Sequence, residues 1–142
     1  MTYTFLEGIT QADVAFEARG KNEEELIVQA GLALESVQVE LSTVRPSINR
    51  TLTITASTLD NLLFKFLEEL VFLKDTEQLV FCAITPSIRR DANTLILTVT
   101  LGGELINQTT QRLGTDIKAV TLHHYLVEKT STGWKAIVVI DI

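Results

Sequence analysis

GTDIKAVTLHHYLVEKTSTGWKAIVVIDI, residues 114–142, is the stretch whose reading decides the fold. Two apolar, β-branched segments, one through Val127 and one over residues 134–140, flank Ser131-Thr132-Gly133, the composition of a tight turn. They read as a β-hairpin whose second strand keeps its apolar residues up to the last two positions. A strand with so little polar tail is expected to be anchored in a core, with Asp141 and Ile142 held at its end. A terminal carboxylate on Ile142 beside that of Asp141 would concentrate hard oxygen donors in one place.

Working outward, TLILTVTL (94–101) alternates with period 2, and Gly102-Gly103 suits a tight hairpin with residues 104–106 returning. The run 79–84 (LVFCAI) is short and buried in character, 50–56 (RTLTITA) places Leu52, Ile54 and Ala56 on one face, 12–18 (ADVAFEA) alternates, and 3–6 is a short strand. Residues 116–128 complete the set. Asn22 offers a cap with Glu25 three residues on, opening a helix over 23–38 with Leu26, Ala30, Ala33, Leu34 and Val37 in a stripe. Ser57 or Thr58 opens a second helix, on which Leu59, Leu62, Leu63, Phe66, Leu67, Leu70 and Leu73 recur at the helical period. Lys65, Glu68, Glu69 and Lys74 fall largely off that face, and 75–78 reads as a turn. The expected architecture is a single α+β domain over residues 1–142, a two-layer sandwich with two main helices on a mixed or mostly antiparallel sheet.

With 12 Lys and Arg against 18 Asp and Glu, the net charge of −6 disfavours strong direct nucleic-acid binding and favours meeting a basic protein surface. One cysteine, Cys82, excludes an intrachain disulfide and a multi-cysteine zinc site. No signal-peptide pattern opens the chain and no apolar run reaches the roughly 20 residues of a membrane span, so a cytoplasmic protein is expected. The Gly102-Gly103 pair opens no helix and is rejected as a phosphate loop.

Asp13, Asp141 and the Ile142 carboxylate form a candidate metal set, since converging carboxylates repel unless a cation joins them and suit calcium, magnesium or manganese. Solvated acids at strand ends are the commoner occurrence of these residue types. Lys118 should share one strand face with Val120, either as a solvated edge charge or as a cation near an acidic site or a partner's phosphate. His123 and His124 would point to opposite faces of a strand, one to the core and one to the surface, unless a bulge intervenes. Cys82 sits in an apolar run, where a thiol packs as a small hydrophobe more often than it reacts. No catalytic residue is assigned.

Several stretches read together resemble the archease family. GTDIKAVTLHHYLVEK followed by GWKAIVVIDI is similar to that family's VKAITYH segment and its closing acidic residue and Ile. NLLFKFLEELVFLKDTEQLVF resembles its helix-plus-strand block, and ADVAFEARGKNEEEL its ADVGIRAYG start. The resemblance implies a small α+β protein that is not an enzyme but a transient cofactor of an RtcB-type RNA ligase in tRNA splicing, promoting its guanylylation and multiple turnover. It places metal ligands on Asp13, Asp141 and Ile142, with calcium the foremost ion, and the activation of the partner on Lys118 and His123. The chain departs from the family where EGITQAD replaces EHTAD: Glu7 is displaced by two positions and the histidine is missing. Leu122 replaces an aromatic before His123, and Glu40 stands where the family often has aspartate. Two other readings of the same residues are a stand-alone metal-dependent phosphoesterase using Asp13, Asp141 and His123, and a general chaperone or adaptor with an exposed apolar patch.

Overall fold

The computed structural model describes residues 2–7 and 13–142, in the order β1 (Thr2–Leu6), β2 (Asp13–Gly20), α1 (Glu23–Gln38), a 3-10 turn (Leu41–Thr43), β3 (Ile48–Ala56), α2 (Leu59–Glu77), β4 (Leu79–Asp91), β5 (Thr94–Leu105), β6 (Ala119–Lys129) and β7 (Trp134–Asp141). Of the EGITQAD departure, residues 8–12 lie outside the described residues.

Both helices begin where their caps predict. The Asn22 side chain accepts the Glu25 N–H at 2.8 Å while the Glu25 carboxylate accepts the Lys21 N–H at 2.6 Å, and Thr58 Oγ1 accepts the Asn61 N–H at 3.4 Å. Helix α1 carries three glutamates in its first turn, favourable at the positive end of the helix dipole. Helix α2 runs through the segment expected to turn and stops at Gln78, whose φ of 55° terminates it in the left-handed region.

The strands form two sheets, β1-β2-β7-β6 and β3-β5-β4, every pairing antiparallel, so the antiparallel alternative holds. One core draws on both sheets and both helices: Phe16, Ala136 and Val138 from the first sheet, Leu97 and Val99 from the second, Leu26 and Leu34 from α1, Leu63 and Phe66 from α2. Each such large side chain contributes about 1.5–3 kcal/mol on full burial. Among the described residues no helix is long and apolar enough to cross a membrane.

The structure corrects the sequence at several points. Gly102 and Gly103 do not turn the chain; β5 continues through both to Leu105. A Cβ on Gly103 would run into the Val80 carbonyl and Phe81 Cα, so glycine is needed for close strand approach, next to a bulge between Phe81 and Ala83. Strand β4 extends past Pro86 to Asp91, because β4 is a sheet edge and a proline there forfeits no ladder bond. Strand β6 starts at Ala119, not at residue 116; the chain before it is a strap tied down by backbone bonds from Gly114 to Gln38 and from Thr115 to Val37. Lys74 is buried, although its sequence position put it largely off the apolar face.

Candidate metal and partner site at one end of a sheet

Strand register decides which of the expected residues meet. In the β2–β7 pairing Asp13 stands directly opposite Asp141, and in the β6–β7 pairing Asp141 stands opposite Ala119, so the row at this end of the sheet reads Asp13, Asp141, Ala119. Directly opposite side chains share a face with Cβ atoms about 4.5–5.5 Å apart, and like charges so placed destabilise a sheet. Both aspartates are half-buried. Ile142 packs against the main core, which anchors the end of β7 as the sequence suggested.

Side-chain alternation places the other groups. Phe16 and Ala18 on β2, and Val138 and Ile140 on β7, face the core, so the odd-numbered Asp13 and Asp141 project from the opposite face. Two hard oxygen donors set face to face suit a divalent cation by charge and donor type. Among the described residues no group of three His, Cys, Asp and Glu side chains converges on a metal position; Ile142, next to Asp141, adds main-chain oxygen beside the pair.

Lys118 reaches this end by its backbone: its N–H donates to the Asp141 carbonyl at 2.9 Å. Its side chain lies with Val120 on the side of α2, in a hollow of about 230 Å³ also lined by Glu68, Phe72 and Asp75. Cation and acid pair therefore share one end of the sheet and stand on its two faces.

His123 is not in the Asp13–Asp141 row. The β6–β7 register jumps between Thr121 and Leu126, and the extra residues rise as a bulge in which His124 takes φ 56°. Both histidines are exposed, with ring centroids 4.1 Å apart, which overturns the expectation of one core and one surface histidine. The bulge is moored by Tyr125, whose hydroxyl donates to the Asp60 carbonyl at 2.7 Å and whose ring meets Phe64 edge-on. Burial pushes that phenol's pKa well up. Leu122 is exposed on the same bulge.

Two buried charged residues escaped the sequence reading. Glu35 on α1 is fully enclosed; its Oε2 accepts the N–H of Phe81 at the β4 bulge at 2.7 Å, and Gln38 Nε2 lies 2.5 Å from its Oε1. Burial pushes its pKa up to about 8 against the pull of those hydrogen bonds and of Lys74. A separation of 2.5 Å is the length of an O–H···O bond, and Gln38 Oε1 is buried without a partner among the described residues. Turning the amide brings that oxygen to a protonated Glu35. Lys74 on α2 is the second. The signal that could have found them is spacing: Ile27, Gly31, Glu35 and Gln38 form a continuous buried row, as do Leu67, Leu70 and Lys74. Cys82 is half-buried beside Val39, Val44 and Val80, and burial raises its thiol pKa, the environment of a packing residue. Glu40 accompanies Arg112 at the surface, away from the aspartate row.

The profile of the archease protein family matches residues 3–142. Protein archease of Methanosarcina mazei is 33% identical over 141 residues, covering 99% of this chain and 95% of that protein. A solution structure of Methanobacterium thermoautotrophicum protein 1598 is 32% identical with a TM-score of 0.86, over 99% of this chain and 98% of its own. A crystal structure from Thermotoga maritima, described as an archease and possible chaperone, shares the fold with a TM-score of 0.63 at 21% identity, over 98% of each chain.

Proposed function

The chain belongs to the archease family, and from that premise we propose that it is a non-catalytic accessory protein that docks transiently on an RtcB-type RNA ligase and promotes its guanylylation and repeated turnover. The observation that carries this reading is the register that sets Asp13 opposite Asp141 with the Lys118 N–H bonded to the Asp141 carbonyl. Asp13, Asp141 and a main-chain oxygen of Ile142 would hold a hard divalent cation, calcium foremost, with magnesium or manganese as the other candidates. Such an ion, when bound, neutralises negative charge near the ligase's nucleotide. The chain's own residues supply the rest. Ile142 roots the end of β7 in the core, Lys118 fixes the Asp141 backbone from the strap before β6, and the Lys118 ammonium offers a cation to a phosphate carried by the partner.

The test is the guanylylation rate of a purified RtcB-type ligase alone, with this protein, and with its Asp141→Ala and Lys118→Ala variants. The expected result is a stimulation that either variant reduces at least about tenfold, a loss of about 1.4 kcal/mol of transition-state stabilisation. Unchanged kinetics with and without the protein would overturn the reading. The phosphoesterase alternative needs His123 in line with the aspartates, and the bulge sets it off their row; turnover of phosphoesters by the protein alone with magnesium or manganese would revive it.

A further inference from the structure

Two charged side chains are buried among the described residues, and Lys74 is the cation. It follows Leu67 and Leu70 along the buried face of α2, so its stem begins in the core and only its ammonium reaches the rim. There Nζ donates to Asp116 Oδ1 at 2.5 Å and to the Ile117 carbonyl at 2.7 Å, and pairs with Asp75 Oδ1 at 2.6 Å. Burial alone would lower its pKa, yet the two carboxylates outweigh that and hold it above the ordinary lysine value. Asp75 and Asp116 are themselves exposed, with side chains 55% and 75% accessible. The site thus combines one enclosed cation with two surface anions.

Lys118 follows Ile117 directly. Its side chain lines the same hollow as Asp75, and Asp116 is two residues before it, yet it forms no ion pair with a described residue. Glu68, the other carboxylate on that hollow, makes none with it either. The strap is held without Lys74's charge as well, since Ile117 is fully buried and the Lys118 N–H is bonded to Asp141. What the charge of Lys74 adds is the capture of two anions, one lining the hollow that Lys118 also lines and the other two residues before Lys118 in the chain.

We propose that Lys74 is a positioning residue that acts as an internal counterion: it occupies Asp75 and Asp116 and so keeps the neighbouring Lys118 ammonium unpaired, available to a phosphate on the partner. The counterion step stands on this chain's geometry alone; the delivery of Lys118 to a partner phosphate rests on the function proposed above.

The counterion step is read directly by the trace-acylation rate of the Lys118 amine, followed by mass spectrometry on the intact folded protein. In Lys74→Met, Asp75 or Asp116 pairs with Lys118, and the ion-paired amine is expected to acylate about three- to fivefold more slowly. Lys74→Arg, which keeps the cation, stays within about twofold of the parent protein. Lys74→Met combined with Asp75→Asn and Asp116→Asn restores the parent rate, which a purely structural loss would not do. Where Lys74→Met fails to fold, Lys74→Gln, still able to donate to the Ile117 carbonyl, takes its place. Unchanged Lys118 reactivity in the folded single variant, or no recovery in the combined one, overturns the proposal. Stimulation of the ligase is expected to fall and recover in the same order. A parent protein that gives no stimulation while Lys118 reactivity behaves as expected overturns the proposed function and leaves the counterion standing.

Discussion

Glu35 and the Asp13–Asp141 pair are acids on elements that pack into the core, but Glu35 is enclosed between α1 and β4 while the two aspartates face each other at the rim of a sheet. Inside, no ion can follow the charge, so the carboxyl keeps a proton and spends its oxygens on the Phe81 N–H and the Gln38 amide. At the rim the two carboxylates stand opposite each other across a ladder, where water and ions have access, and the cation proposed above would relieve there what a proton relieves inside. On the function proposed above, the rim pair would take its counter-charge from a metal where Glu35 takes its own from a proton, and that difference can be measured.

The largest expected effect is on the inner site. The folded pKa of Glu35 is about 8 against 4.5 for the model side chain, so between those values the native state holds a proton that the unfolded chain has released. Fewer protons on the unfolded side mean that stability is fully present below about pH 4.5 and falls as pH rises through about 8. The expected loss across that window is on the order of 5 kcal/mol, at most about 1.4 kcal/mol per pH unit. Urea unfolding at a series of pH values measures it against Glu35→Gln, which still accepts the Phe81 N–H but does not titrate. The difference between the two proteins should slope downward with pH and flatten above about pH 8. A difference independent of pH would show that Glu35 is ionised in the native state.

The same contrast explains how much the sequence revealed. The hairpin of β6 and β7, the caps of both helices and the leucine face of α2 were legible because each is a local pattern: a turn composition, a side-chain acceptor, a period of 3.6. The acid pair was foreseen only as residue types, and its meeting depends on the β2–β7 register, a pairing of residues 128 positions apart that no local pattern encodes. Glu35 and Lys74 were missed because a charged residue on a helix is by default solvated, and what buries them lies elsewhere: the bulge at Cys82 for one, the Asp116 strap for the other. The histidines were misplaced for the same reason. A bulge that lets β6 outrun β7 leaves no trace in alternation, though it breaks the rule that adjacent residues face opposite ways.

At the rim the expected effects are smaller and have opposite signs with and without metal. Calcium at a hundredfold excess over its dissociation constant should raise unfolding stability by about 2.7 kcal/mol, seen as a shift of the thermal midpoint that EDTA reverses. Asp13→Asn and Asp141→Asn should each abolish most of that gain, and Glu35→Gln should not. No shift in the parent protein with calcium, magnesium or manganese would remove the cation from this account. In metal-free buffer the order reverses: Asp141→Asn ends the opposition of two like charges and should stabilise the protein by about 0.2–1 kcal/mol, most clearly at low ionic strength, where the repulsion is least screened. A metal-free Asp141→Asn protein less stable than its parent at low salt would mean that the aspartates serve the fold as acceptors, and the proposed distinction between an acid answered by a proton and a pair answered by a cation would not hold.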